Sequence, residues 1–270
     1  MNSLKEIIEK WYKKCAFPEE MSARFYELLA EFDMEEINAE SVDLSGALGE
    51  KTALVVLYLF EVMEKEYIKR KIDFSHFERA LSGMRGRIER AYMKNGSFDI
   101  GSAVWDRLRL MGREFRIGRL AYGLGKSPCD VPSKNIMKGD NVLQLHIPGG
   151  EPLLYDACVE SIESAKRFVA DHFPDFEYRY ITCLSWVLDD SVADLLGQGS
   201  NVLKFATLFE IVAKNQSDNI IRFVFGGGAT RDKLPDIAPV GRFQTALRES
   251  AMAGRVFYDA RGVIDVLKNS

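Results

Sequence analysis

Cysteine and histidine are scarce in this sequence of 270 residues, which has four cysteines and three histidines. None of the cysteines belongs to a Cys-x-x-Cys pair and the histidines are not closely spaced, so neither a metal site nor a disulfide framework is predicted. Thiols of this kind are typical of a reducing compartment, and we expect a cytoplasmic protein. The cysteines are Cys15, Cys129, Cys158 and Cys183.

The sequence also lacks a long apolar run and an excess of basic charge. Its longest apolar run, Ala53 to Phe60, is far too short to span a bilayer, and the start, MNSLKEIIEK, lacks the apolar core of a signal peptide. The formal net charge of −4 gives no field that would recruit nucleic acid. We therefore expect neither a membrane nor a nucleic-acid partner. An anionic ligand would need a local device, such as a helix N-terminus.

Helical periodicity dominates the first part of the sequence. Apolar residues recur at intervals of three and four, and Asp73 or Ser75 can cap one of the helices. The predicted helices include segments within Phe25–Phe32, Leu48–Tyr67, Phe74–Ala91 and Ile100–Met111. The pattern changes near Gly112. We therefore predict a helical N-terminal domain over residues 1–112.

Strand-like and helical segments alternate after residue 112. Strands are predicted from alternation and from β-branched or aromatic content. They fall within Glu114–Gly125, Asn141–Ile147, Tyr178–Trp186, Asn201–Ile211, Asn219–Phe225 and Arg255–Val266, with helices over Leu154–Val169 and Phe243–Met252. Residues 113–270 are therefore expected to form a mixed β-sheet with flanking helices, and the fold class to be α+β.

The segment HIPGGEPL, His146–Leu153, joins a predicted strand to a predicted helix. The first amides of a helix have no backbone partner and carry partial positive charge, which suits a phosphate. Gly149 and Gly150 have no Cβ, so a ligand could approach the backbone closely. A turn that binds nothing is the commoner interpretation of such a segment, and Glu151 argues against a simple anion site.

His146 and Ser185 are the candidates for chemistry. His146 shares a polar strand face with Gln144 and is a natural general base near neutral pH. A histidine that only makes hydrogen bonds at a strand end is the alternative. Ser185 has no Gly-x-Ser-x-Gly context, so a hydrolase nucleophile is unsupported. It could donate a proton to a leaving thiolate, or simply be satisfied within its strand.

The glycine-rich segment FGGGATRDK, residues 225–233, is a second candidate for an anion site. It lacks the Gly-Lys-Ser/Thr ending of a P-loop, and no strong helix is predicted after it. We therefore predict a mobile surface loop there.

The order of several segments resembles a family of bacterial acyltransferases. These segments are IGRLAYGLG, VLQLHIPGGEPL, CVESIESAKRFV, YITCLSWVLDD, LLGQGSNVLKF and RFVFG. That family pairs an all-helical N-terminal domain with a C-terminal domain like the GNAT superfamily of N-acetyltransferases. The resemblance implies that acyl-CoA binds where a central strand parts from its neighbour, with the pyrophosphate on the turn that follows. It makes Asn141–Ile147 the central strand and Tyr178–Trp186 the neighbour.

The resemblance also assigns roles to residues. Acyl-CoA, with acetyl-CoA as the expected donor, would be bound by Ile147, Pro148, Gly149, Gly150, Glu151 and Leu153. The reaction implied is direct N-acylation of a small-molecule or peptide amine, in which His146 accepts a proton from the amine and Ser185 assists the departing thiolate. No metal is implied, and the oligomeric state stays open.

One departure from the acetyltransferase pattern supports a different function. The loop of such enzymes carries Gln/Arg-x-x-Gly-x-Gly/Ala, whereas the loop here is IPGGEPL, with no arginine or glutamine at that place. The alternative is therefore a non-catalytic ligand-binding or regulatory protein on a degenerate GNAT-like fold.

Overall fold

The computed structural model describes residues 3–197 and 199–269, so Gln198 of the segment LLGQGSNVLKF lies outside the described residues. The chain divides into two compact units. The first comprises residues up to 116 together with 170–173, and the second comprises 117–169 and the residues from 174 onward. The domain limits of 1–112 and 113–270 inferred from the sequence remain a prediction. Among the described residues, no helix is both long and apolar enough to cross a membrane.

The first unit is helical. Its longest helices are amphipathic or buried, and Asp73 caps one of them by accepting a hydrogen bond from the Ser75 amide, as the sequence allowed. Residues 53–57, in the helix Lys51–Arg70, are fully buried on every side, which matches the apolar composition of this helix. The helices are α1 (Leu4–Cys15), α2 (Ser22–Ala30), α3 (Lys51–Arg70), α4 (Phe74–Asn95) and α5 (Arg107–Leu110).

The amphipathic helix predicted over Ile100–Met111 forms only in part. Gly101, near its start, has a φ of +63°, and the segment is helical only from the 3-10 turn Val104–Asp106 through the short α5. The guanidinium of Arg87 donates hydrogen bonds to the carbonyls of Ile100 and Ser102. These carbonyls therefore find their partner in a neighbouring helix, which the local periodicity could not indicate.

The chain also forms a six-stranded sheet with flanking helices, most of which belongs to the second unit, and this confirms the α+β fold class. The strand order is β1-β2-β3-β4-β6-β5. Strands β2 and β3 are antiparallel, as are β4 and β6 and also β5 and β6, whereas β3 and β4 are parallel. The strands are β1 (Glu114–Ile117), β2 (Leu120–Lys126), β3 (Asn141–His146), β4 (Tyr180–Ser185), β5 (Glu210–Gln216) and β6 (Tyr258–Asp265). The helices are α6 (Tyr155–His172), α7 (Asn201–Ala206), α8 (Asn219–Phe225) and α9 (Gly241–Met252).

Two of the strands predicted for this unit are wrong. Most of Asn201–Ile211 forms α7, which Ser200 caps by accepting a hydrogen bond from the Val202 amide, and β5 begins only at Glu210. Asn219–Phe225 is α8, whose Ile220 and Ile221 are buried in one core cluster with Val224 and Phe225 against it. Short apolar runs of this length do not distinguish a strand from a buried helix.

Different elements pack against the two faces of the sheet. On one face, Ser161 of α6 donates a hydrogen bond to the Ile117 carbonyl, and its oxygen lies 3.0 Å from the Tyr122 hydroxyl. On the other face, Val142 and Tyr180 pack with Val131 and Ile136 of the segment between β2 and β3. Helix α6 therefore contacts β1 and β2 on one face, and the segment between β2 and β3 covers β3 and β4 on the other.

Candidate active site

The pairing of β3 with β4 stops before either strand ends. The two strands pair at Leu143 with Ile181 and at Gln144 with Thr182. Beyond that point β3 continues to His146, still paired with β2 at Ala121, and β4 continues to Ser185, paired with β6 at Ala260. The facing edges of β3 and β4 therefore part after Gln144 and Thr182, and we call this opening the strand gap.

His146 and Ser185 end the two strands that border the strand gap, but they lie on opposite faces of the sheet. Paired residues of parallel strands share a face, and side chains alternate along each strand. Gln144 and Thr182 are paired, so His146 lies on their face, whereas Ser185 lies on the face of Leu143 and Ile181. His146 is exposed and Ser185 is half-buried. The predicted catalytic pair therefore flanks the gap rather than meeting on one side of it.

A buried carboxylate fixes the backbone after Ser185. The Ser185 oxygen accepts a hydrogen bond of 3.2 Å from the Val187 amide, which caps a 3-10 turn. Asp189 then accepts hydrogen bonds from the Ser191 amide and hydroxyl and from the Tyr258 amide. Asp189 is therefore a structural anchor for this turn. The hydroxyl proton of Ser185 can still be donated, since the bond to Val187 uses only its oxygen as acceptor.

A buried arginine, to which the sequence analysis gave no role, donates hydrogen bonds to the loop after β3. Arg119 lies in the two-residue turn between β1 and β2, and it is 7% exposed. Its guanidinium donates hydrogen bonds of 2.8 Å to the Pro148 carbonyl and 2.9 Å to the Pro152 carbonyl, and a further one to the Glu151 carbonyl. The only sequence signal is an arginine within the quoted segment IGRLAYGLG. A turn arginine is ordinarily exposed.

The other predicted binding residues form the outer part of this loop. Ile147 and Pro148 are half-buried, Gly149, Gly150 and Glu151 are exposed, and Leu153 is buried below them at 8%. The loop leads directly into α6, whose first turn follows at Tyr155. The structure thus places all six residues on one continuous strand–loop–helix connection.

Only one of the two loop glycines needs to be glycine for conformational reasons. Gly150 has a φ of +95°, whereas Gly149 has no positive φ, and no described atom lies within 4 Å of a Cβ built at either residue. We expect Gly150→Ala to lower the free energy of unfolding by ~1–3 kcal/mol through backbone strain. Gly149→Ala is the matched control and should change it by less than about 0.5 kcal/mol. Urea denaturation measures both, and equal effects would contradict this assignment.

The buried cysteines near the sheet are poorly suited to act as nucleophiles. Burial raises the pKa of the Cys183 thiol to about 12 and also raises that of Cys158. With a pKa near 12, only about one Cys183 thiol in 10⁴ is ionised at pH 8, against roughly a quarter for an ordinary cysteine. Since the thiolate is the reactive form, iodoacetamide should label Cys183 at least ~1,000-fold more slowly in the folded protein than in urea. Mass spectrometry of the Cys183 peptide measures this, and fast labelling of the folded protein would contradict it.

The glycine-rich segment lies apart from the strand gap in sequence and lines its own concavity. Phe225–Ala229 form this concavity together with Lys233, Asp236 and Ile237. Part of the predicted mobile loop is a 3-10 helix, Arg231–Asp236. Among the described residues, no cluster of three or more histidine, cysteine, aspartate or glutamate side chains is arranged to hold a metal ion.

Solved structures similar to this chain are acyltransferases. One is an acyltransferase in complex with decanoyl-CoA, with 26% identity and a TM-score of 0.65 over 80% of this chain and 67% of that one. Two others, in complex with decanoyl-CoA and teicoplanin and with CoA and 10C-teicoplanin, have 24% and 23% identity, each with a TM-score of 0.65 over 79% of this chain and 65% of theirs. At 24% and 23% identity, the similarity to these two structures shows the fold alone. The present chain spans about two thirds of the length of these structures.

A family model covers most of the second unit. No curated protein matches the chain. The model of the GNAT-like C-terminal domain, however, matches residues 115–264, which begin within β1 and end within β6. This match contains the strand gap, the loop after β3 and both predicted catalytic residues, and it extends over more than half of the sequence. The chain therefore belongs to the family defined by the GNAT-like C-terminal domain.

Proposed function

We propose that this chain is an acyl-CoA-dependent acyltransferase that transfers an acyl group to an amine. The observation that carries the proposal is the strand gap, where β3 and β4 part after Gln144 and Thr182 while both strands continue. Membership of the GNAT-like family and similarity to an acyltransferase solved with decanoyl-CoA support it. We assign the reaction to the cytoplasm of a bacterium.

The strand gap supplies the groups that a thioester substrate needs. The open edges of β3 and β4 can bond the amides of the pantetheine arm, as a further strand would. A backbone amide at the gap can stabilise the negative charge that develops on the thioester carbonyl oxygen, usually the largest contribution to such catalysis. The loop of residues 147–153 and the start of α6 would hold the pyrophosphate.

His146 and Ser185 have different roles in the proposed reaction. The amine nitrogen attacks the thioester carbon, the carbon–sulfur bond breaks, and CoA leaves as a thiolate. His146 accepts the proton that the amine loses, and Ser185, on the opposite face, donates a hydrogen bond to the thiolate. The thiolate takes a proton from water, and His146 releases its own to water. The products are the N-acylated acceptor and CoA.

The acyl chain and the acceptor are finer parts of the proposal. The resemblance found in the sequence favours acetyl-CoA, whereas the similar structure was solved with decanoyl-CoA. Leu184, on the same face as His146, is 50% exposed beside the gap, which gives an acyl chain an apolar contact. We propose a small-molecule or peptide amine as acceptor, and a series of chain lengths decides the donor.

Thermal unfolding with CoA, acetyl-CoA, octanoyl-CoA and decanoyl-CoA tests the proposal. A ligand at about 100 times its dissociation constant should stabilise the protein by about 2.7 kcal/mol. Release of the CoA thiol in the presence of aliphatic primary amines and of short peptides with a free amine then measures turnover. If no acyl-CoA raises the unfolding temperature, the proposal is wrong.

A second candidate function rests on the loop sequence. The segment IPGGEPL lacks the arginine or glutamine of the usual acetyltransferase loop, which favours a protein that binds an acyl-CoA or a related ligand without turnover. If acyl-CoA stabilises the protein but no CoA thiol is released with any of these amines, this candidate is supported over the enzyme.

A further inference from the structure

Arg119 contacts the loop after β3, and all of its described hydrogen bonds go to backbone carbonyls of that loop. Three carbonyls, those of Pro148, Glu151 and Pro152, accept from one guanidinium. The rigid planar fork of an arginine suits several acceptors at once, and a buried guanidinium that lost them would be costly. The loop is therefore tied to the β1–β2 turn at both of its ends.

These bonds determine the direction of the loop amides. All described peptide bonds are trans, and in a trans peptide the carbonyl and the next amide point in opposite directions. Since the Pro148 and Pro152 carbonyls point to Arg119, the amides of Gly149 and Leu153 point away from it. The loop thus turns its carbonyls inward and these two donors outward.

The same bonds leave positive charge beside the loop. A carbonyl carries no net charge, so the three hydrogen bonds orient the guanidinium without neutralising it. Arg119 is also close enough to α6 to lower the pKa of the Cys158 thiol, although burial raises that pKa more. The outward amides, the start of α6 and this buried charge favour an anion over the loop, whereas the carboxylates of Glu151 and of Asp156 in the first turn of α6 oppose it.

We infer that Arg119 positions the loop for the pyrophosphate of acyl-CoA and takes the place of the side chain that the usual loop pattern would supply. This inference rests on the proposed function. Arg119 is a positioning residue rather than a catalytic one, because its guanidinium acts through the loop backbone. The missing pattern in IPGGEPL is then a change in how the loop is held rather than the loss of the ligand.

Acyl-pantetheine separates this role from a structural one, because it has the thioester and the pantetheine arm but no pyrophosphate. We expect Arg119→Gln to raise the KM for acyl-CoA at least tenfold while kcat/KM for acyl-pantetheine stays within about twofold. Arg119→Lys keeps the charge but loses the fork, and we expect an intermediate effect. Arg167→Gln is the control, since Arg167 is an exposed arginine of α6 that bonds only the Ser164 hydroxyl among its described contacts.

The possible outcomes are distinct. Equal losses with acyl-CoA and acyl-pantetheine, or no loss with either, would overturn the role of Arg119. If wild-type protein uses neither substrate, the proposed function fails instead. Should Arg119→Gln fail to fold, Arg119→Lys gives the same comparison, and turnover of acyl-pantetheine in each preparation reports that the strand gap is intact.

Discussion

His146→Ala should lower kcat for acyl transfer by about 10²–10³-fold and leave the affinity for acyl-CoA unchanged, given the proposed function. His146 is the last residue of β3, exposed at the point where β3 has already parted from β4. A base at this position can reach an amine that attacks a thioester in the strand gap, whereas the loop that would hold the pyrophosphate lies further along the chain. Stopped assays of thiol release and calorimetric titration with acyl-CoA measure the two quantities.

Two further variants make this test specific. His146→Gln retains a polar side chain without a basic ring, so it should lose turnover as severely. His172→Ala is the matched control, because His172 lies at the end of α6 with its Nδ1 atom 3.0 Å from the Arg70 carbonyl. An unchanged kcat in His146→Ala would remove the histidine as the base.

Trp11→Ala should lower the free energy of unfolding of the helical unit by ~3–5 kcal/mol. Trp11 of α1 is fully buried, with its ring centroid 5.7 Å from those of both Phe60 and Phe77. Its indole N–H also donates a hydrogen bond of 3.0 Å to the Glu61 carboxylate. Truncation would therefore leave a large cavity where three helices meet and remove one partner of a half-buried carboxylate.

Trp105→Ala is the control for this substitution. Trp105 is 88% exposed in the 3-10 turn before α5, so its loss should change the free energy of unfolding by less than about 0.5 kcal/mol. Guanidinium denaturation followed by far-UV circular dichroism compares the two variants without depending on tryptophan fluorescence. Similar effects from Trp11 and Trp105 would contradict the assignment of the core.

Long periodic segments could be predicted from the sequence, and short apolar ones could not. The spacing in Phe74–Ala91 and Leu154–Val169 identified α4 and α6 because each buries one face over many turns. Alternation identified β3. In contrast, Asn219–Phe225 has β-branched residues that suit a strand, yet it is the helix α8, since its burial is decided by distant residues such as Leu247.

The strand–loop–helix order of the candidate site could be predicted from the sequence, but the contacts that hold the loop could not. The order of strand, glycine turn and helix singled out residues 146–153, and the family resemblance implied a ligand for the loop, which stays a prediction. The parting of β3 from β4 was implied by the family resemblance and not by the residues themselves, and the burial of Arg119 under the loop depends on tertiary structure alone. An arginine in a hairpin turn gives no local signal that its guanidinium binds three carbonyls of a loop about thirty residues later.

Hydrogen–deuterium exchange with and without acyl-CoA tests the central claim most directly, since it reports both binding and its location. The proposal that acyl-CoA occupies the strand gap predicts slower exchange at the amides of residues 145–157 and 183–187, with α1 and α4 unchanged. Protection confined to the concavity of residues 225–237, or no protection by any acyl-CoA at saturating concentration, would contradict it.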